Sequence, residues 1–319
     1  MAKRSLRNFP YWHETILGLM LVGLLAAAGI MDRAFLSLDV QRDLSSDMWA
    51  TALLALPMTL IIITAGIDLS VGSALALCAV VLGLTYEQGL APGFGAGLAV
   101  LAGVAAGALN GWFVAYLRVH PLIVTLATLA AFRGIAEGIS LARPISGFPE
   151  SFTFIGRGLW LGFPIPGFLF VVLAVAAAVV LRKTPLGRSV YAIGHNETAA
   201  RFSGIPVARI QMLLYTLAGV CAGLASVILV ARHNTAKADL AKGLELDVIT
   251  AVVLGGTSIF GGRGSIPGTL LGVLLIHETR EFVRWQWQRE ELLPVVIGLL
   301  LIVSVLMHKA LSPRGKEEA

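Results

Sequence analysis

The stretch WATALLALPMTLIIITAGIDLSVGSALALCAVVLGLTY, residues 49–86, is two apolar runs interrupted once, by the GIDLS of residues 66–70. A helix that crosses the hydrocarbon core of a bilayer needs about 20 mostly apolar residues, and the runs at 49–67 and 71–86 approach that length. One carboxylate, Asp68, stands between them. Placed in lipid, a carboxylate is costly unless it faces water, a partner or a helix terminus. Asp68 with Ser70 therefore reads first as a cap, its side-chain oxygen meeting the orphan amides of the helix that follows. The alternative is a place for both residues in a solute path.

The same pattern repeats along the chain. Of 319 residues, 57% are hydrophobic and 13% charged, with a mean hydropathy of +0.83. A soluble domain carries about 25% charged residues, so most of this surface must face lipid. Candidate spans fall at 15–31, 49–67, 71–86, 94–117, 122–142, 159–181, 210–231, 248–260, 266–276 and 292–308. Those at 248–260 and 266–276 are short, which suggests re-entrant or broken helices. Lys3, Arg4 and Arg7 precede the first run, which is read as a span and not as a cleaved leader.

Lys and Arg mark cytoplasmic loops in membrane proteins. Arg118, Arg182, Lys183, Arg188, Arg201 and Arg209 mark inner loops, as do Lys309, Arg314 and Lys316 at the tail. The segment 32–47 holds four Asp and two Arg and suits the outer side. The loop 232–247 has mixed charges and does not decide its side. The expected architecture is an all-α polytopic transmembrane bundle of about ten spans, a single domain over 1–319, with both termini cytoplasmic. Glycines at four-residue spacing, Gly103/Gly107/Gly111, Gly219/Gly223 and Gly264/Gly268/Gly272, predict closely packed helices.

Several chemistries are excluded. The formal net charge of +5 sits in short clusters between apolar runs, which fits loops on a membrane protein and not a nucleic-acid surface. Cys78 and Cys221 lie in apolar stretches and read as small buried hydrophobes. No phosphate-binding G-x-x-x-x-G-K-[ST] exists, so this chain binds no ATP by that device. The HETRE of 277–281 begins like a zinc-protease helix but lacks the second His. No nucleophile or acid–base pair argues for an enzyme, and no cofactor or metal is expected on this chain.

Three further segments carry information. The loop 182–211 contains RKTPLGR at 182–188 and YAIGHNETAARFSGIP at 191–206. There Asn196 suits an N-cap, Glu197 the helix dipole and Gly204 a stop, giving a two-turn helix across the cytoplasmic mouth. LGGTSIFGGRGSIPG at 254–268 breaks any helix, and irregular backbone at membrane depth is tolerated only where it is buried or lines a cavity. Gly255, Gly256 and Thr257 are gate or path candidates on that ground. PLIVTLATL at 121–129 is followed by Arg133 and Glu137, four apart and able to pair on one helix face. Asn110, Thr125 and Thr128 offer the amide and hydroxyl partners that a hydroxylated solute needs.

Together these segments resemble the ribose-type sugar permeases of bacterial ATP-binding-cassette (ABC) importers, over about residues 15–308. GIDLSVGS at 66–73, Asn110-Gly111, 121–128 with Arg133-Gly134, 187–205 and 254–268 each resemble a family signature, in the expected order. The stretches 55–83, Gly147-Phe148-Pro149 and HETREFVRW at 277–285 look most similar to rhamnose-type and autoinducer-2-type permeases. The charged run 277–291 departs from the ribose-type pattern. The resemblance implies a bacterial inner-membrane location and three kinds of partner besides lipid. They are a cytoplasmic ATPase carrying the ATP and Mg, a second permease subunit and a periplasmic solute-binding protein. It also implies that Asn196, Glu197, Ala199, Ala200, Gly204 and Ile205 form the coupling helix that docks into the ATPase. A rhamnose-like or autoinducer-2-like solute would then cross by alternating access. A stand-alone ion-coupled transporter is the rival, with Asp68 and Glu137 as its available carboxylates.

Overall fold

In the computed structural model the described residues are 12–288, 290–293, 295–299 and 302. Helix α3 (Met48–Ile63) is apolar all round, and every residue except Thr51 is buried. A helix without a polar face belongs inside a bundle. Against it runs α11 (Val207–His233), whose 27 residues span about 40 Å. The glycine spacings decide how α11 meets α5 (Pro92–Ala115). A Cβ on Gly219 would lie 2.0 Å from the Gly103 carbonyl oxygen, and one on Gly107 would lie 2.3 Å from that of Tyr215. The two backbones touch along this seam, as the Gly-x-x-x-Gly rows predict.

Helix α4 (Val71–Glu87) fills the angle between α5, α11 and α6 (Pro121–Ser140), while α8 (Ile165–Lys183) lies on α3. Helix α1 (Trp12–Met31) covers α13 (Ile266–Trp287). A second glycine seam joins α13 to α12 (Leu244–Leu254): a Cβ on Gly268 or Gly272 would lie 2.1 Å from the carbonyl oxygen of Gly255 or Ala251 respectively. Helix α9 (Pro185–His195) and α10 (Glu197–Phe202) close the lower end. At the upper end lie α2 (Leu38–Leu44), α7 (Glu150–Arg157) and a 3₁₀ turn over Arg33–Leu36. Two pairs of two-residue strands decorate the connections. β1 (Ile145–Ser146) pairs with β4 (Thr235–Ala236), and β2 (Leu159–Trp160) with β3 (Phe163–Pro164). Leu161 and Gly162 join β2 to β3 with positive φ, the backbone of a tight hairpin turn.

The described residues hold five helices long and apolar enough to cross a membrane: α1, α5, α6, α8 and α11. A sixth arises if α2 and α3, bent by 55°, count as one span. Ten such spans are expected from the sequence, and the difference has local causes. Helix α4 has 17 residues and is short for a crossing. The expected span 248–260 is α12, which has 11 residues. At the rise of an α-helix that is roughly half the thickness of a bilayer core. The expected 266–276 continues instead through charged residues to Trp287. The expected 159–181 starts late, at Ile165, because the hairpin precedes it. Most of 292–308 and both termini lie outside the described residues; 295–299 and 302 are helical. The loop 182–211 holds two helices where one is expected. The Thr184 hydroxyl accepts from the Gly187 amide at 3.3 Å. Pro185 occupies the first turn, and the two together are an N-terminal signal that sequence reading missed.

Candidate functional site

At the lower end, three segments are fastened together. The Gly262 amide donates to the Ile63 carbonyl at the end of α3 (2.9 Å), and Tyr191 of α9 donates its hydroxyl to the Gly264 carbonyl (2.7 Å). Burial holds the Tyr191 phenol above its ordinary pKa, so it stays protonated and donating. Helix α10 hangs from this junction. The Asn196 side-chain oxygen accepts from the Ala199 amide (2.9 Å), closing the N-terminus. At the other end the Ile205 amide reaches the Ala200 carbonyl and the Gly204 amide that of Arg201, both at 3.1 Å. With Gly204 at φ +83°, this is a Schellman stop, in the left-handed conformation that suits glycine. Glu197 pairs with Arg201 at 2.7 Å, Ala200 is buried, and Phe202 is 89% exposed. A cavity of about 470 Å³ opens above α10, lined by Thr64, Arg118, Asn196, Glu197, Gln211 and Tyr215 among others.

Above it sits a polar knot. Asp68 accepts from the Ser70 amide (2.9 Å) and hydroxyl (2.7 Å), and Ser70 accepts from the Asn110 amide group (2.7 Å). The Thr125 hydroxyl donates to the Pro121 carbonyl of its own helix (2.9 Å) and lies 3.3 Å from the Ile67 carbonyl, with the Tyr215 hydroxyl 3.5 Å from the same oxygen. The chain between α3 and α4 is thus tied to α5 and lies against α6 and α11. Asp68 caps in a different sense from the one expected: it holds Ser70, the residue before α4, and not the amides inside that helix. Thr128 bonds within its own helix, to the Val124 carbonyl at 3.0 Å. Asp68, Ser70, Asn110, Thr125 and Thr128 are all buried, and none lines the lower cavity or the larger upper one. Gly255, Gly256 and Thr257 also line neither; Gly255 packs on Gly268 and Gly256, at φ +89°, on the His13 ring.

Arg133 and Glu137 do not form the ion pair that their spacing allows. Arg133 instead binds the carbonyls of Ala238 and Leu240, the latter at 3.0 Å. It stands more than three helical turns beyond Pro121 on α6, so those carbonyls lie deep in the bundle. The glycines of α4 trace the descent. Gly83 abuts Ala236, whereas Gly72, about three turns away along α4, abuts Ala241 and Glu245. The segment 234–243 therefore dips from the upper end to the middle of the bundle, and α12 starts there and runs down.

This dip walls a cavity of about 540 Å³ with the first turn of α3, the end of α11, α12 and α13. Four acids line it, Asp47, Asp239, Asp247 and Glu281, against four bases, Lys237, Lys242, Arg280 and Arg284. Arg280 pairs with Asp247 across the gap between α13 and α12, and Lys237 with Asp239 at 3.5 Å. Arg284 pairs with Glu281 at 3.3 Å, and His233 lies 3.6 Å from Asp47. His277, 8% exposed, lines the same wall, and its Nε2 has no hydrogen-bond partner among the described residues. Sequence reading noted the charge of 277–291 without giving it a role. The signal was there in the spacing, since His277, Arg280, Glu281 and Arg284 recur at three and four residues and share one helix face.

Over residues 43–305 the chain matches the family described as branched-chain amino acid transport system / permease component. It is 36% identical over 301 residues to the Autoinducer 2 import system permease protein LsrD of Yersinia enterocolitica, covering 92% of this chain and 91% of that protein. The LsrD proteins of Photorhabdus luminescens and Yersinia pseudotuberculosis are 34% and 35% identical, each over 92% of this chain and 90% of their own length. No solved structure matches.

Proposed function

Because the chain belongs to this family of transport-system permeases, we propose that it is the membrane-spanning subunit of an ATP-driven importer for a neutral, sugar-like solute of the autoinducer-2 type. It is a transport subunit and not an enzyme. Family and relatives name different cargoes, an amino acid and autoinducer 2, so the family alone does not choose the solute. The relatives covering nearly the whole chain favour the second.

ATP hydrolysis, in this reading, belongs to a separate cytoplasmic ATPase that docks against α10. A second permease copy completes the channel, and a periplasmic binding protein delivers the solute to the upper end. Nine crossings of the bacterial inner membrane belong to α1, the bent α2–α3, α4, α5, α6, α8, α11, α12 with its dip and α13; the tenth is the span expected from the sequence at 292–308, most of which lies outside the described residues. Both termini are then cytoplasmic. The Arg-rich loops at α8–α11 and at Arg118 fall on the same side, as the positive-inside rule requires.

The observation that carries the reading is α10, a six-residue helix closed at both ends and packed on α9 and α11, with α9 in turn bonded to the 258–264 loop that reaches the end of α3. Such a helix is too short to be stable alone. Held this rigidly at the mouth of the bundle, it transmits a push on its exposed face, where Phe202 stands, to the end of α3. Gly204→Val and Glu197→Lys are expected to lower uptake of autoinducer-2 by about ten-fold or more, roughly 1–2 kcal/mol of lost coupling, at unchanged membrane levels. Mild-detergent capture of the chain from its native membranes is expected to bring down a phosphate-loop ATPase. Normal uptake in both variants, or uptake that persists without any ATPase, would overturn the proposal.

A further inference from the structure

The upper cavity carries an assignment that neither the family nor the relatives' names supply. We propose that it is the receiving site for a neutral polyhydroxylated solute, with His277 and the Arg280–Asp247 pair as its binding groups. This rests on reading the chain as an import permease whose upper end faces outward.

Volume comes first. The cavity holds about 540 Å³, and its lining includes Asp47, His233 and Thr235 at the upper ends of α3 and α11. That volume is within the size range of small-molecule sites. Charge comes second. The acids and bases of the wall balance, four against four, and each acid has a cation or His partner in ion-pair reach. A wall of this kind gives an ion no net attraction, while it presents donors and acceptors side by side. A hydroxyl both donates and accepts, so a ring carrying several of them matches such a wall. Lys242 alone of the charged wall groups has no ion pair among the described residues; elsewhere an anion or cation would have to displace an existing pair to gain anything. Unmet capacity comes third. The Nε2 of His277 and the Nε of Arg280 are buried in the wall without hydrogen-bond partners among the described residues. Buried polar atoms are normally satisfied, so exceptions point to a group that is absent, here one supplied by the solute.

Position makes the site useful. Asp247 lies in the first turn of the half-helix α12, which starts mid-bundle and ends at Gly255, beside the lower-end junction. Arg280 joins α12 to α13 across the cavity. A solute seated between them touches the elements that lead to the lower end.

The test uses the full transporter in right-side-out membrane vesicles. Thr51, at the cavity wall on α3, is replaced by the nearly isosteric cysteine and probed with a membrane-impermeant methanethiosulfonate. Thr51→Cys is expected to react about ten-fold faster than the parent chain, whose Cys78 is buried and Cys221 half-buried. Rhamnose and ribose are expected to slow that reaction by about five-fold or more, and the charged comparators gluconate and glucosamine by less than about two-fold. Adding His277→Leu, which removes the ring nitrogens at similar volume, is expected to abolish the protection; adding His277→Gln, which keeps a donor and an acceptor, retains it. An unreactive Thr51→Cys, protection by the charged comparators or by no solute, or protection that survives His277→Leu would each overturn the assignment. Failure of the importer reading is distinguishable from these results. It would appear as uptake without ATPase, whereas ATP-dependent uptake through a chain with an unreactive Thr51→Cys sinks only the cavity.

Discussion

Replacing Gly219 by alanine tests the seam on which the bundle is built. The added Cβ would lie 2.0 Å from the Gly103 carbonyl oxygen, 2.8 Å from its carbon and 2.9 Å from the Gly107 amide nitrogen. Even a close carbon-to-carbonyl contact needs about 3.3 Å. The shortfall is roughly 1.3 Å, and every opposing atom is helix backbone, which no rotamer change can move. Helices α5 and α11 must part by about 1 Å, which forfeits a quarter to a half of each dispersion contact along the seam. Overpacking of this kind costs about 1–3 kcal/mol, and the backbone contact puts Gly219→Ala at the upper end. The gain of about 1 kcal/mol from replacing Gly by Ala inside a helix leaves a net loss of about 2 kcal/mol. Gly134→Ala on α6 is the control, because its added Cβ meets nothing, and it should be neutral or stabilising. Unfolding midpoints of the purified chain in one detergent measure both. Gly219→Ala as stable as Gly134→Ala would refute the backbone seam. The double variant Gly103→Ala/Gly219→Ala should lose less than the sum of the single losses, since either methyl already separates the helices.

Other expectations concern single contacts. Tyr191→Phe removes the hydroxyl that reaches Gly264 and should cost about 1 kcal/mol, read as faster amide hydrogen exchange over 258–264; unchanged exchange would show the bond to be idle. Arg133→Leu leaves the Ala238 and Leu240 carbonyls without their donor, a loss of about 2–3 kcal/mol that should loosen the 234–243 dip. A cysteine at Asp239 would then react faster with a water-soluble thiol reagent, and an equal rate would mean that the dip stands without Arg133. Asn196→Ala should weaken α10 by about 1 kcal/mol and reduce uptake, while Asn196→Asp, an equally good cap, should not. Equal behaviour of the two would remove the cap from the argument.

Much of the packing was legible because glycine spacing in an apolar run has one main use. The rows at 103/107 and 219/223 meet each other, and Gly268 and Gly272 meet α12. The caps of α10 were legible too, since Asn196 and Gly204 act through local hydrogen bonds that need no tertiary context. Helix ends that depend on tertiary context were not. Residues 159–164 look like the start of a span, and only their pairing as a hairpin delays α8 to Ile165. The loop 232–247 looked like an ordinary mixed-charge loop, because its descent is fixed by Arg133 and by Gly72 and Gly83, which lie far away in sequence.

The polar residues show why a path is harder to read than a bundle. Asp68, Asn110 and Thr125 stand alone in apolar runs, and isolation of that kind signals burial. A buried polar group must find partners, and these find theirs around Ser70 and Ile67, except that the Asn110 side-chain oxygen has none among the described residues. A transport site asks for polar atoms with capacity left over beside open volume, and neither cavity is lined by these residues. Polar atoms of that kind lie in HETREFVR, whose charge density resembles that of a solvated loop when read as text. Only the continuation of α13 past Ile276 carries that charge into the bundle, where Arg280 meets Asp247 and His277 keeps a free nitrogen. Charge at membrane depth is tolerated where it lines a wet cavity, so the length of α13 and the presence of the cavity are one fact seen twice.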